Sequence, residues 1–184
     1  STSDTLRPAL QIIDRKSGVN SISSFFIMQT ENKDLGHEGI FLFADCGLIK
    51  SPNVVQLQEI ACMSAQSFRK LIAPDPKIAF LSYSTLGSAR GEEIDKITRA
   101  VKGLKSKNVD FEFDGELQFD AAVIKEVAKI KAKNSSVAGC ANVLIFPNLE
   151  AGNIGNKIAQ RLGNMTALGP ITQGFTIPVN DLSR

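Results

Sequence analysis

Four short runs gather the residue types that hold anionic ligands: Ser82–Ala89, Asp114–Asp120, Pro147–Gly155 and Pro178–Arg184. Each is rich in hydroxyls, side-chain amides or glycine. Glycine lets a backbone come close to a ligand, while hydroxyls, amides and free N–H groups donate to negatively charged oxygens. The same residue types also make ordinary turns and helix caps, and for any one run that plainer role is the expected one. What separates the two readings is whether the runs converge, and that depends on the elements that carry them.

Apolar, β-rich stretches alternate with amphipathic ones. The pattern predicts strands over 23–28, 40–44, 77–82, 109–113, 143–146 and 170–175. It predicts helices over 5–13, 53–71, 91–104, 118–133 and 151–162. Strands alternating with helices of this length form a mostly parallel sheet covered on both faces by right-handed crossovers. The fold class is therefore α/β, a three-layer αβα arrangement. The first two strands, joined by the polar stretch 31–39, are expected to form an antiparallel hairpin at the sheet's edge. Ligands of such sheets bind beyond the carboxyl ends of the strands. The four polar runs each follow a predicted strand, so together they favour a polar ligand cleft.

Composition narrows the function classes. The chain has 184 residues, 43% hydrophobic and 22% charged, and suits one domain with a substantial core. Twenty-one basic against nineteen acidic residues give +2 with the signs mixed, and no basic stripe suggests a nucleic-acid partner. No apolar run is long enough to cross a bilayer, and the first residues lack the pattern of a signal peptide. Cys46, Cys62 and Cys140 are odd in number and widely spaced, which fits a reducing compartment, the cytoplasm, better than a disulfide framework.

The runs Asp114–Asp120, Ile145–Pro147, Glu150–Gly155, Ala159–Gly163 and Pro178–Arg184, with Thr5–Ala9 near the beginning, occur in the order found in phosphate acetyltransferases, and the chain resembles that family over nearly all its length. The resemblance implies an isocitrate/isopropylmalate dehydrogenase-like architecture and one partial transferase domain, residues 1–184. It implies reversible transfer of an acetyl group between coenzyme A and phosphate, with acetyl phosphate as the other substrate. It also implies no metal, no bound cofactor beyond coenzyme A as a substrate, and a homodimer. By the same resemblance Ser183 and Arg184 are catalytic, and Arg7, Arg161, Thr2, Ser3, Gly152 and Asn153 bind acetyl phosphate or coenzyme A. Arginine suits the task, since its planar fork grips phosphate oxygens and keeps its charge. His37, the single histidine, lies in the polar stretch 31–39, so Ser183 is expected to orient the thiol or the oxyanion by hydrogen bonding, not to act in a triad.

The family's general base follows the Ser-Arg pair and a further domain precedes this one, so the 184-residue chain alone is expected not to turn over. Leu86, Asn148, Asn156 and Thr176-Ile177 depart from the common family pattern, and lysines are replaced at Leu86 and Ile177. Two alternatives stay open: an acetyl-CoA-sensing regulatory domain of the kind fused to malic enzymes, and a butyryl- or other acyl-transferring relative.

Overall fold

The computed structural model describes Pro8, Ala9 and residues 11–180. The strands are β1 (Ser23–Gln29), β2 (Ile40–Ala44), β3 (Lys77–Leu81), β4 (Glu112–Leu117), β5 (Val143–Ile145) and β6 (Thr166–Gln173). The helices are α1 (Val54–Leu71), α2 (Glu92–Lys105), α3 (Phe119–Val123), α4 (Lys125–Lys131) and α5 (Leu149–Arg161). The six strands form one sheet in the order β4-β3-β5-β2-β1-β6. β4, β3, β5 and β2 are mutually parallel, β1 runs against both β2 and β6, and β6 therefore points the same way as β2.

Alternation along the strands divides the core into two. Leu42, Ala44, Ile78, Phe80, Val143 and Ile145 face the layer built from α1 and α2. Phe41, Phe43, Ala79, Leu81 and Leu144 face the opposite layer, which holds Ala122, Val123 and Phe146. Each fully buried Leu, Ile or Phe contributes about 1.5–3 kcal/mol of transfer free energy. That is why a short strand such as β5, three residues long, can sit at the centre of the sheet.

Local signals set several element ends. Asn53 caps α1 and, with Gln56, completes a reciprocal capping box. Glu92, Glu93 and Asp95 open α2 while Lys102 and Lys105 close it, matching the helix dipole at both ends.

The structure departs from the sequence reading in four places, one being that β6 spans Thr166–Gln173 where 170–175 is expected. The antiparallel hairpin is not at the edge: β2 lies among the parallel strands, and β6 covers the outer side of β1. The fourth strand is 112–117 rather than 109–113, so Asp114-Gly115 is strand and not turn. A side chain at Gly115 would stand 2.7 Å from the Phe80 Cβ, so its glycine serves close strand approach. The helix predicted over 118–133 is broken at Ile124, which is extended. The carbonyls of Ala121 and Ala122 accept from the N–H groups of Gly139 and Ala141 instead of continuing the helix.

Candidate ligand site at the carboxyl edge of the sheet

The first and last described segments of the chain meet at this edge. Arg15 pairs with Phe175 in an antiparallel bridge. The Lys16 N–H donates to the Gly174 carbonyl at 2.8 Å, and the Asp14 carbonyl accepts from the Thr176 N–H at 3.0 Å. The Thr176 hydroxyl donates to the same Asp14 oxygen at 3.1 Å, giving this departure from the family pattern a fastening role. Beyond it the chain folds back: Asn180 pairs with Ile171 and accepts from the Thr172 N–H at 3.2 Å, while the Thr172 hydroxyl donates to the Val179 carbonyl. Beside this junction lies a cleft of about 250 Å³ walled by Arg15, Asn20, Ser21, Ile49, Gln56 and Phe175.

The loop after β2 forms the next part of the edge, and sequence reading missed it. Asp45 is buried, and its carboxylate accepts from the Ser24 hydroxyl at 2.7 Å and from the N–H groups of Gly47, Leu48 and Ile49 at 2.8, 3.0 and 3.2 Å. The Ser24 N–H adds a further bond at 3.2 Å. A buried carboxylate is tolerable when donors surround it this fully. Asp45 therefore fixes the backbone of 45–49, which carries one wall of the cleft. The available signal was an acidic residue directly after an apolar strand, Ala44-Asp45. Placing β2 in an edge hairpin hid it.

The Ser82–Ala89 run turns inward. Glu116, 3% exposed, accepts from the Ser84 hydroxyl at 2.9 Å and the Gly87 N–H at 2.7 Å. Its other oxygen accepts from the Thr98 hydroxyl at 3.3 Å. The Ser88 hydroxyl takes the Thr85 N–H at 2.9 Å, and the Ser84 hydroxyl takes the Ala89 N–H at 3.0 Å. Glu116 thus fills the place an anionic ligand would take within this loop. Leu86, where the family pattern has lysine, sits at positive φ with its side chain exposed.

At the start of α5 the plainer role also holds. Asn148 caps the Ala151 N–H at 2.9 Å, and the Leu149 N–H donates to the Lys50 carbonyl at 3.0 Å. A Cβ at Gly152 would lie 2.3 Å from the Asp45 carbonyl oxygen, so this glycine lets α5 press onto the loop after β2. The Asn153 amide donates to the Cys46 carbonyl at 3.3 Å and also borders an open cleft of about 710 Å³ with Lys50 and Ser51. Asn148 separates that cleft from an apolar one of about 400 Å³ formed by Leu81, Tyr83, Phe119, Phe146 and Pro147. Burial pushes the Cys46 thiol far up, with the charge of Asp45 adding to the effect, so Cys46 is an inert part of the wall.

The structure therefore brings Gly152 and Asn153 together against the loop after β2. Arg161 is the exposed last residue of α5, about 13 Å along the helix axis from Gly152. Thr2, Ser3, Arg7, Ser183 and Arg184 lie outside the described residues, as do 5–7 and 10 of the predicted first helix, of which 8, 9, 11 and 12 are helical. Among the described residues no group of three or more His, Cys, Asp or Glu side chains is placed to hold a metal ion, and no helix is long and apolar enough to cross a membrane.

The family description Phosphate acetyl/butaryl transferase matches residues 1–184. The chain belongs to this family. It is 54% identical over 184 residues to a phosphate acetyltransferase of Acetivibrio thermocellus, covering all of this chain and 55% of that protein. It is 50% identical to a phosphate acetyltransferase of Bacillus subtilis, with the same coverage. A solved phosphotransacetylase from Streptococcus pyogenes superposes with a TM-score of 0.93 at 49% identity, over all of this chain and 54% of that one. The chain thus spans about half the length of the relatives it matches. As a member of the phosphate acetyl/butaryl transferase family it carries a mostly parallel α/β sheet, and its first and last described segments meet at the sheet's carboxyl edge.

Proposed function

We propose that the protein to which this chain belongs transfers an acetyl group reversibly between coenzyme A and phosphate. Identity of about half across the whole chain with phosphate acetyltransferases supports the reaction class. The structural observation carrying the site is the pairing of Asp14–Lys16 with Gly174–Thr176. It joins the segment leading to Arg7 with the segment leading to Ser183 and Arg184, residues far apart in sequence.

In this reading the coenzyme A thiolate attacks the carbonyl of acetyl phosphate directly. The carbon becomes tetrahedral, its oxygen takes the negative charge, and phosphate leaves as the thioester forms. Arg184 and Arg7 hold the phosphate and the developing oxyanion, because a fixed cation in a water-poor cleft stabilises charge most where charge is created. Ser183 orients the sulfur by a hydrogen bond, and Thr2 and Ser3 add hydroxyl contacts. Gly152 and Asn153 hold the loop after β2 in place beside the substrate. Arg161 binds an anionic part of coenzyme A away from the reacting carbon. The chemistry uses no bound prosthetic group, and the enzyme works in the cytoplasm. It works as a homodimer, for which the exposed Ile154 and Ile158, one turn apart on α5, and Leu162 just beyond it offer an apolar face. Sedimentation of the purified enzyme checks the last point.

The test is thioester formation from acetyl phosphate and coenzyme A by the enzyme carried to its family's full length, compared with its Arg184→Ala and Arg161→Gln variants. Arg184→Ala is expected to lower kcat by about 100-fold or more. Arg161→Gln should raise the KM for coenzyme A with kcat nearly unchanged. The 184-residue chain alone should be inactive. Full activity of the Arg184→Ala enzyme would overturn the assignment.

A further inference from the structure

At the opposite edge of the sheet, away from the ligand clefts, the structure joins an amine, a thiol and a carboxylate that the proposed reaction does not use. Lys77 begins β3, Glu112 begins β4, and Cys140 lies just before β5. The Lys77 Nζ stands 3.7 Å from the Cys140 Sγ and 3.4 Å from Glu112 Oε2. Their backbones cannot drift apart. Asn142 Oδ1 accepts from the Lys77 N–H at 2.7 Å, and the Asn142 N–H donates back to the Lys77 carbonyl at 3.0 Å. Cys140 is partly open to solvent, and the Lys77 side chain is 35% exposed, so small oxidants reach both.

The three cysteines differ sharply. Cys46 is fully buried, and burial also raises the Cys62 thiol, outweighing the nearby Lys107. Cys140 alone has a lysine ammonium in contact, which attracts the thiolate, the nucleophilic form of cysteine.

We propose that Lys77 and Cys140 form an oxidative cross-link site, in which a peroxide joins Nζ to Sγ as a sulfenamide. The Cys140 thiolate attacks one peroxide oxygen, the O–O bond breaks, and hydroxide leaves to become water. Sulfur is oxidised to sulfenic acid and the peroxide is reduced. Lys77 is held protonated more firmly than usual, first by charge on Cys140 and then, against some burial, by Glu112. Oxidation removes the first of these influences, and Glu112 accepts the proton that the ammonium gives up. The amine lone pair then attacks sulfur, the S–O bond breaks, and a second water leaves. Thiol, amine and peroxide become sulfenamide and two waters, and the chain is lighter by two hydrogens. Condensation of a sulfenic acid with a nitrogen is established cysteine chemistry. Here it ties β3 to the entrance of β5.

The experiment is to treat the purified protein with hydrogen peroxide and map the products by proteolysis and mass spectrometry. The expected product is one cross-linked peptide pair carrying Lys77 and Cys140, lost on adding dithiothreitol. In Lys77→Arg the cation stays but the attacking amine is gone, so Cys140 should stop at a sulfenic acid trapped by dimedone, with no cross-link. Two results would overturn the proposal: Cys140 passing to sulfinic acid while Lys77 stays free, or Cys46 or Cys62 oxidising first.

Discussion

Replacing Glu116 tests whether the Ser82–Ala89 loop is shaped from within or left open for a ligand. Glu116 receives the Ser84 hydroxyl at 2.9 Å, the Gly87 N–H at 2.7 Å and the Thr98 hydroxyl at 3.3 Å while 3% exposed. Hydrogen bonds to an ionised, buried acceptor contribute about 1.5–3 kcal/mol each, against about 0.5–1.5 kcal/mol for neutral pairs. Glu116→Gln keeps an oxygen for the loop and turns an amide toward Thr98, so it should cost about 2 kcal/mol. Glu116→Ala strands the Gly87 N–H and the Ser84 hydroxyl and should cost about 3–5 kcal/mol. Urea unfolding of the three proteins, with the slope checked for constancy, measures both losses as midpoint shifts. The alanine variant removes a CH₂–COO⁻ fragment that acetate reproduces, so added acetate should restore part of its stability while chloride at equal ionic strength should not. If Glu116→Gln unfolds within about 0.5 kcal/mol of the parent, the carboxylate is not what shapes the loop, and the reasoning fails.

Two further outcomes follow from the same structure. In an ordinary helix Gly→Ala gains about 1 kcal/mol, but at Gly152 the new Cβ would lie 2.3 Å from the Asp45 carbonyl oxygen, so Gly152→Ala should destabilise by about 1–3 kcal/mol. A rise in melting temperature would refute the close packing of α5 on the loop after β2. The hydrogen bond from Lys131, at 2.9 Å, holds the Asp120 carboxyl below its usual range despite some burial, with help from the Ala121 N–H. A depressed folded-state pKa means that the pair's contribution is complete above the ordinary aspartate value, about 3.9, and is lost as pH falls through the lower, folded value. Because both side chains are partly exposed, Lys131→Met should cost no more than about 1 kcal/mol at neutral pH, and the gap should close in acid. An equal gap at about pH 2.5 and about pH 7 would exclude this linkage.

Much of the architecture is written in local sequence. The alternation of Leu42, Phe43 and Ala44, or of Ile78, Ala79 and Phe80, specifies strands buried on both faces, and those strands are where the pattern predicts them. Asn53 with Gln56, and Asn148, mark helix starts through hydrogen bonds made within three residues. Signals of this range need no knowledge of the rest of the chain. The family membership was legible for a similar reason, because it rests on the order of short runs.

What failed depends on partners distant in sequence. Ile124 breaks a helix because Gly139 and Ala141 take the carbonyls before it. Asp114-Gly115 is strand because β3 lies alongside and Phe80 leaves no room for a side chain. The candidate site shows the same division. Hydroxyls, amides and glycines after strands are visible in the sequence, but whether their hydrogen bonds point outward is not. Tertiary structure turned the donors of Ser84 and Gly87 onto Glu116, and those of Gly47, Leu48 and Ile49 onto Asp45. It also laid Asp14–Lys16 against Gly174–Thr176. The sequence by itself determined most of the elements, the family and the residue types at the carboxyl edge of the sheet. Which buried carboxylates shape that edge, and which distant segments meet there, was decided only when the sheet closed, because a buried donor takes whichever acceptor the fold brings to it.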